Sequence, residues 1–134
     1  MVEVTVAASV KIVGGPTLPV SATLTPSSYA VAAVELGPAG AADEKREIPL
    51  LPDGGTVVLL AVRARTAAGA PAIVGLTPSN DATDGSEIEV QGTLLIANSG
   101  VLAALVADGP RTVTVKNTGP DQVKVDIITG LNSA

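Results

Sequence analysis

Apolar and polar residues alternate along most of this chain with a period of two, in short runs separated by glycine and proline. Val2, Val4 and Val6 alternate with Glu3 and Thr5, the pattern of a half-buried strand. The alternation reads as slipping across residues 7–9 and resuming at Val10 and Ile12, as a bulge or bend would make it. Gly14-Gly15-Pro16 closes the segment. A second short strand sets Val20, Ala22 and Leu24 opposite Ser21, Thr23 and Thr25, and Pro26-Ser27-Ser28 turns the chain. Residues 29–36 make a third strand, with Tyr29, Val31 and Ala33 on one side and Ala30, Ala32 and Val34 on the other. Neither side is polar before Glu35.

Residues 37–47, GPAGAADEKRE, read as a solvated loop, with partner docking as the lesser alternative. Residues 47–51 form a short strand, broken by Pro49 and Pro52 as suits a sheet edge, and Asp53-Gly54-Gly55 is a turn. Residues 56–66, TVVLLAVRART, place Val58, Leu60 and Val62 on one face and Val57, Leu59 and Ala61 on the other, which implies a central strand or one covered from outside. Arg63 and Arg65 end that strand. They read as a solvated terminus with acidic neighbours across the sheet, and alternatively as an inter-subunit salt bridge.

Residues 67–70 are a small-residue hairpin loop, residues 72–77 a strand, residues 81–86 a polar loop, and residues 87–91 a strand with Ile88 and Val90 inward. Gly92 allows a bend into a strand at residues 93–97, and Asn98-Ser99-Gly100 turns the chain. Residues 101–106, VLAALV, are read as a strand in preference to one and a half helical turns, because Asp108-Gly109-Pro110 stops them so soon. Residues 111–116 and 122–129 then read as a closing hairpin around Asn117-Thr118-Gly119-Pro120-Asp121. Val113 and Val115 would face Val123, Val125 and Ile127, while Thr112, Thr114, Lys116, Lys124 and Asp126 face water.

About nine or ten short strands at roughly 8–12-residue spacing predict an all-β chain. The expected architecture is one antiparallel β-sandwich, jelly-roll-like, spanning residues 1–134. Residues 1–5 would be an extended arm and residues 131–134 a frayed tail.

Composition sharpens this picture. Hydrophobic residues make up 46% of the chain, yet Tyr29 is its one aromatic residue, so the core must be aliphatic. Eight Lys and Arg against thirteen Asp and Glu give a net charge of −5, which disfavours nucleic acid and anionic membranes as partners. With neither His nor Cys, a Ser-His-Asp triad, a cysteine nucleophile and the usual zinc site are impossible. No phosphate-binding glycine loop is present, and no enzyme activity or cofactor is expected. The start, MVEVTVAASVKIVGG, lacks a basic region and alternates like a strand, so it does not read as a signal peptide. One acidic cluster stands out. Asn80, Asp81, Asp84, Glu87 and Glu89 surround Gly85 and form a candidate calcium loop, although their spacing is not that of an EF-hand and a solvated loop is the simpler reading.

The runs that are apolar on both alternations, residues 29–34, 57–62 and 94–106, hold more oily surface than one face of a small sandwich hides. A homo-oligomer, dimer or trimer, would cover the remainder. Leu59, Leu94, Leu95, Ile96, Val101, Leu102 and Leu105 are its expected interface. A small, acidic, cysteine-free chain rich in Val, Thr and Ala, ending in RTVTVKNTGPDQVKVDIITG, resembles the capsid decoration (cement) proteins of tailed bacteriophages. That resemblance covers about a quarter of the chain and implies a structural, non-enzymatic protein. It would be made in the host cytoplasm and mounted on the virion's capsid surface, clamped over the major capsid protein lattice. No family motif is matched, so no functional residue carries over. A tail, baseplate or head-fibre component and a calcium- or ligand-binding β module are the alternatives.

Overall fold

The computed structural model describes residues 2–50 and 55–132. Among them the chain forms β1 (Val4–Lys11), β2 (Thr17–Leu24), β3 (Ser28–Leu36), β4 (Lys45–Pro49), β5 (Thr56–Thr66), β6 (Ile73–Ser79), β7 (Ile88–Gln91), β8 (Thr93–Ile96), α1 (Ser99–Ala104), β9 (Thr112–Asn117) and β10 (Val123–Asn132).

The first two strands form a hairpin of their own, separate from the two four-stranded sheets. Its register runs without a shift from Val4 opposite Leu24 to Lys11 opposite Thr17, so the slip expected at residues 7–9 does not occur. Ala8 keeps the period, and its small side chain disguised the continuity. The turn closes with Ile12 N–H donating to Pro16 O at 3.1 Å and Gly15 N–H donating to Ile12 O at 2.9 Å. Residues 4 and 5, expected in an extended arm, are therefore strand.

The other eight strands nest as a folded ribbon. β3 pairs with β10, β4 with β9, β5 with β8 and β6 with β7, all antiparallel. Two further pairings, β10 with β5 and β9 with β6, roll the ribbon into sheets of order β3-β10-β5-β8 and β4-β9-β6-β7. Nested pairing rolled into two facing sheets is a jelly roll. The antiparallel β-sandwich expected from the alternation is the fold of the chain.

Each sheet turns an aliphatic face inward. Leu60, Val62 and Ile127 from one sheet and Val74, Leu76 and Val115 from the other are fully or almost fully buried in a single core. The chain changes sheets at tight corners. At Gly92 it leaves β7 for β8 with φ +80, and a Cβ there would stand 2.9 Å from that of Pro71, so glycine alone fits. The corner is tied by Gly92 N–H to Ala72 O and Ala64 N–H to Gly92 O, both 2.8 Å.

Several expectations are corrected. The strands β9 and β10 are not a hairpin: they lie in opposite sheets, with Val113, Val115, Val123, Val125 and Ile127 all lining the core between them. Residues 118–122 form an arch across the sandwich, held by buried Asn117. Its Nδ2 donates to Gly37 O and Asp121 O, and its Oδ1 accepts from Gly119 N–H. Alternation alone is the same for an arch and for a hairpin.

The stretch read as a strand at residues 101–106 begins inside α1. Asn98 caps that helix by accepting from Gly100 and Val101 N–H at 3.0 and 3.1 Å, Leu102 is its buried side chain, and Leu105 at the C-cap packs partly buried against the same core. Leu131 is buried and Asn132 is strand, so the expected tail from residue 131 is structured through residue 132; residues 133–134 lie outside the described residues. The edge strand expected at residues 47–51 is β4, two residues earlier, while Leu51, Pro52, Asp53 and Gly54 lie outside the described residues.

Candidate interaction surface

The expected interface residues separate into three groups. Leu59 and Leu102 are buried by the chain itself, 2% and 0% exposed, and drop out as contacts for another subunit. Leu102 is the inward side chain of α1, which packs over β5. Leu59 lies on the outer face of its sheet, where Gly130 opposes it and the buried Pro26, between β2 and β3, comes up alongside; a Cβ on Gly130 would meet Leu59 Cβ at 3.0 Å and the Pro26 ring at 3.5 Å. The register of β5 against β10 slips at this point, pairing Gly130 with Leu59 but Leu131 with Val57. The extra residue, Val58, is why Val57 shares the core with Leu60 and Val62, against the expected division of faces. Leu94, Ile96 and Leu105 are partly buried and pack against the core. Only Leu95 and Val101 of the expected set remain exposed.

The register nevertheless brings the two-sided apolar runs together. Residues 29–34, 57–62 and, of the third run at 94–106, residues 94–96 fall in the sheet β3-β10-β5-β8. On its outer face Val31 opposes Ile128, Ile128 opposes Ala61, and Ala61 opposes Leu95. This row crosses all four strands, about 14 Å at ordinary strand spacing. Val31, Ile128 and Leu95 are each at least 43% exposed, and Tyr29 stands beside the row, also exposed. Val31, Ile128 and Tyr29 were not among the expected contacts. The adjacent Ile127 and Ile128 carry the signal that could have found them, because two large apolar neighbours in an alternating strand must face opposite ways.

The opposite sheet differs. Outward positions of β9 are Thr112, Thr114 and Lys116, and Glu47 of β4 and Glu89 of β7 lie on the same outer side, with Ile73 the one large apolar residue among them. One sheet thus carries an apolar row across its outer face, and the other has none among the described residues.

A polar row borders the apolar one. Arg63 and Arg65 each donate from Nη2 to Asp126 Oδ2 at 3.1 Å, so the pair expected to find acidic neighbours across the sheet finds one carboxylate on β10. Partial burial pushes the Asp126 carboxyl up, but the hydrogen bonds from Arg63 and Arg65, helped by the charges of Lys124 and Arg63, outweigh it and hold the group below its ordinary value. A carboxyl held lower in the folded chain stabilises the fold above its unfolded value of about 3.9, and that contribution is lost as pH falls through the folded value. Because Arg63 is half exposed, the gain is small. Asp126→Asn should cost about 1 kcal/mol at pH 7 and almost nothing near pH 2.5. Urea melts of both proteins at the two pH values measure it, and an equal difference at both would show that charge is not the cause.

The acidic loop does not assemble as a cage. Asn80 Oδ1 accepts from Ala82 and Thr83 N–H at 3.0 and 2.7 Å, and its Nδ2 donates to Ala107 O at 2.8 Å. Asp81 faces Arg111 at 3.4 Å, Glu89 accepts from Gln91, and Glu87 lies over Gly75. Asp84 bridges back to Ser79 through the backbone. Among the described residues no group of three or more acidic side chains converges in a way that could hold a metal ion, and no helix is long and apolar enough to cross a membrane.

A second uncovered apolar surface belongs to the β1–β2 hairpin. Its unbroken register puts Val4, Val6, Ala8 and Val10 on one face with Leu24, Ala22, Val20 and Leu18 opposite them. Thr5, Ala7, Ser9 and Lys11 share the other face with Thr23, Ser21, Pro19 and Thr17. The root of the apolar face is half-buried, but Val10, Ile12 and Leu18 are more than half exposed, and Val13 at the tip is 95% exposed. No family model, curated protein or solved structure matches the chain.

Proposed function

We propose that this protein is a structural, non-enzymatic assembly component that associates with copies of itself, as a dimer or trimer, and binds a larger protein lattice. The observation that carries the reading is the contrast between the two outer faces: polar on β4-β9-β6-β7, and crossed by the exposed row Val31–Ile128–Ala61–Leu95 on β3-β10-β5-β8. Scattered exposed aliphatics are ordinary, whereas a contiguous row rimmed by charges is the usual form of a protein contact. The lattice that fits best is the capsid of a tailed bacteriophage, with the chain as a decoration protein on its surface. The resemblance of the sequence supports this, and so does the jelly roll, a fold common in capsid proteins though shared with lectins and cupins. A cement of this kind works by adding contact area between shell subunits and needs no reactive group.

Light scattering at increasing concentration should give a multimer, and Ile128→Lys should return it to single chains with little change in the melting of the fold, since Ile128 points outward. Co-sedimentation with empty phage shells from the same genome should deplete the protein from solution. A monomer at all concentrations that also leaves the shells bare would reject the proposal.

A further inference from the structure

The oily face of the β1–β2 hairpin and the oily outer row of the β3-β10-β5-β8 sheet are both uncovered, and each has the shape to cover the other. We infer that the hairpin of one copy lies with its apolar face across that row on a second copy, and that the exchange is reciprocal. This names the contact within the proposed self-association and rests on that reading.

The first argument is chemical matching. The distal hairpin face offers Val10, Leu18 and Val20, and the sheet row offers Val31, Leu95 and Ile128. Neither set contains a charge, so docking desolvates no ion, which suits self-association of a chain with net charge −5. Charged residues lie just outside the contact. Lys11 is on the hairpin's other face, and Arg63 and Asp126 form the next row of the sheet. With the hairpin seated, its Thr and Ser side chains would replace exposed aliphatics at the surface.

The second argument is geometric. The hairpin leaves the body at a tied root: Val2 N–H donates to Pro26 O at 3.1 Å, Ser27 N–H donates to Asn132 Oδ1 at 3.3 Å, and Pro26 packs against Gly130. Paired positions over eight residues make it about 27 Å long. It is thus a long ribbon fixed at one end, with its apolar half beyond the body's own cover.

The third argument is area. A side chain of this size hides about 60 Å² or more on burial, so one hairpin on one sheet face removes on the order of 500 Å². That is too little for a lasting complex. Two such contacts, as reciprocal exchange supplies, reach about 1,000 Å², the size at which specific interfaces begin. A foreign partner seated on either surface alone would gain half of that.

The chain contains no cysteine, so single cysteines can be placed without background. Leu18→Cys and Val31→Cys are made separately, one carrying an affinity tag, and mixed in equal amounts with a short bismaleimide. A covalent dimer in the mixture, absent or at least tenfold weaker with either variant alone, is the expected result. As a second readout, Leu18→Glu should raise the dimer dissociation constant at least 100-fold while leaving the melting of the sandwich unchanged, because that side chain lies outside the core. If light scattering finds a multimer but Leu18 and Val31 do not cross-link, the arm exchange is wrong and the self-association reading stands. If the chain is monomeric, both fall. Cross-linking confined to a single chain in a Leu18→Cys/Val31→Cys double variant, or a hairpin that engages capsid shells while free chains stay monomeric, also overturns the exchange.

Discussion

Leu102→Ala should destabilise the fold by about 2–4 kcal/mol, while Val101→Ala, one residue away, should change it by less than about 0.5 kcal/mol. The two side chains have similar chemistry and opposite environments. Leu102 is fully buried against the core from the inner side of α1, and Val101 is 47% exposed. Removing three carbons from Leu102 loses their transfer free energy and leaves a cavity, and α1 cannot easily sink to fill it: Asn98 holds its start, and Gly85 lies against Leu105 O near its end. Urea unfolding of the two variants checks the contrast. An interface made by both residues, as the expected set of contacts had it, predicts instead comparable losses from each, appearing in the association constant and not in the stability of single chains.

Residues 29–34, 57–62 and 94–106 were read as strands with apolar side chains on both faces; the first two and residues 94–96 became members of one sheet, while the rest of the third run went into α1 and the turns around it. What could not be read was which surplus face the chain covers for itself. Leu59 is outward-facing by register and yet buried, because Pro26 arrives from a segment more than thirty residues earlier; no local pattern encodes that meeting. The inserted Val58 then moves Val57 to the core side, and a single bulge of this kind redirects every side chain before it. Alternation reports which residues share a face. It does not say what lies opposite.

The two missed surfaces have different causes. At α1, six residues are too few for a helical period to outweigh a run of Val, Leu and Ala, although Asn98 ahead of Leu102, Leu105 and Val106 was a usable start signal. In the hairpin the even positions from Val2 through Ile12 are all apolar, and the pattern broke in the reading only because alanine at position 8 carries so little weight. Counting Ala8 as apolar makes the ribbon two-faced along its whole length and exposes the feature on which the proposed contact between copies rests. The loop of Asn80, Asp81, Asp84, Glu87 and Glu89, for which a solvated loop was the simpler reading, shows why nearness in sequence is not a shared site. Proximity in sequence suggested a shared ligand, but β7 carries Glu89 away along the sheet while Asn80 spends its side chain on the loop's own backbone.

Asn117→Ala should cost about 3 kcal/mol, comparable to losing a core leucine, although no apolar burial is at stake. Asn117 is one of the two buried polar residues among those described, and its amide ties Gly37 after β3 to Asp121 and Gly119 in the arch, beside the backbone bond from Ala39 N–H to Gly119 O at 2.8 Å. Its backbone N–H donates to Glu44 O at 2.7 Å, which fixes the side chain's position. Alanine removes two donors and one acceptor together, leaving Gly37 O, Asp121 O and Gly119 N–H to be satisfied by water that must enter the corner. Asn117→Asp keeps the acceptor for Gly119 but turns the other oxygen against two carbonyls, so it should be at least as damaging at pH 7 and should recover in part when acid protonates the new carboxyl. Hydrogen exchange at the Gly119 amide reports the first change and urea melts at pH 7 and about pH 4 the second. If both variants melt like the parent, the arch is held by the alternating strands on either side of it and the buried amide is incidental.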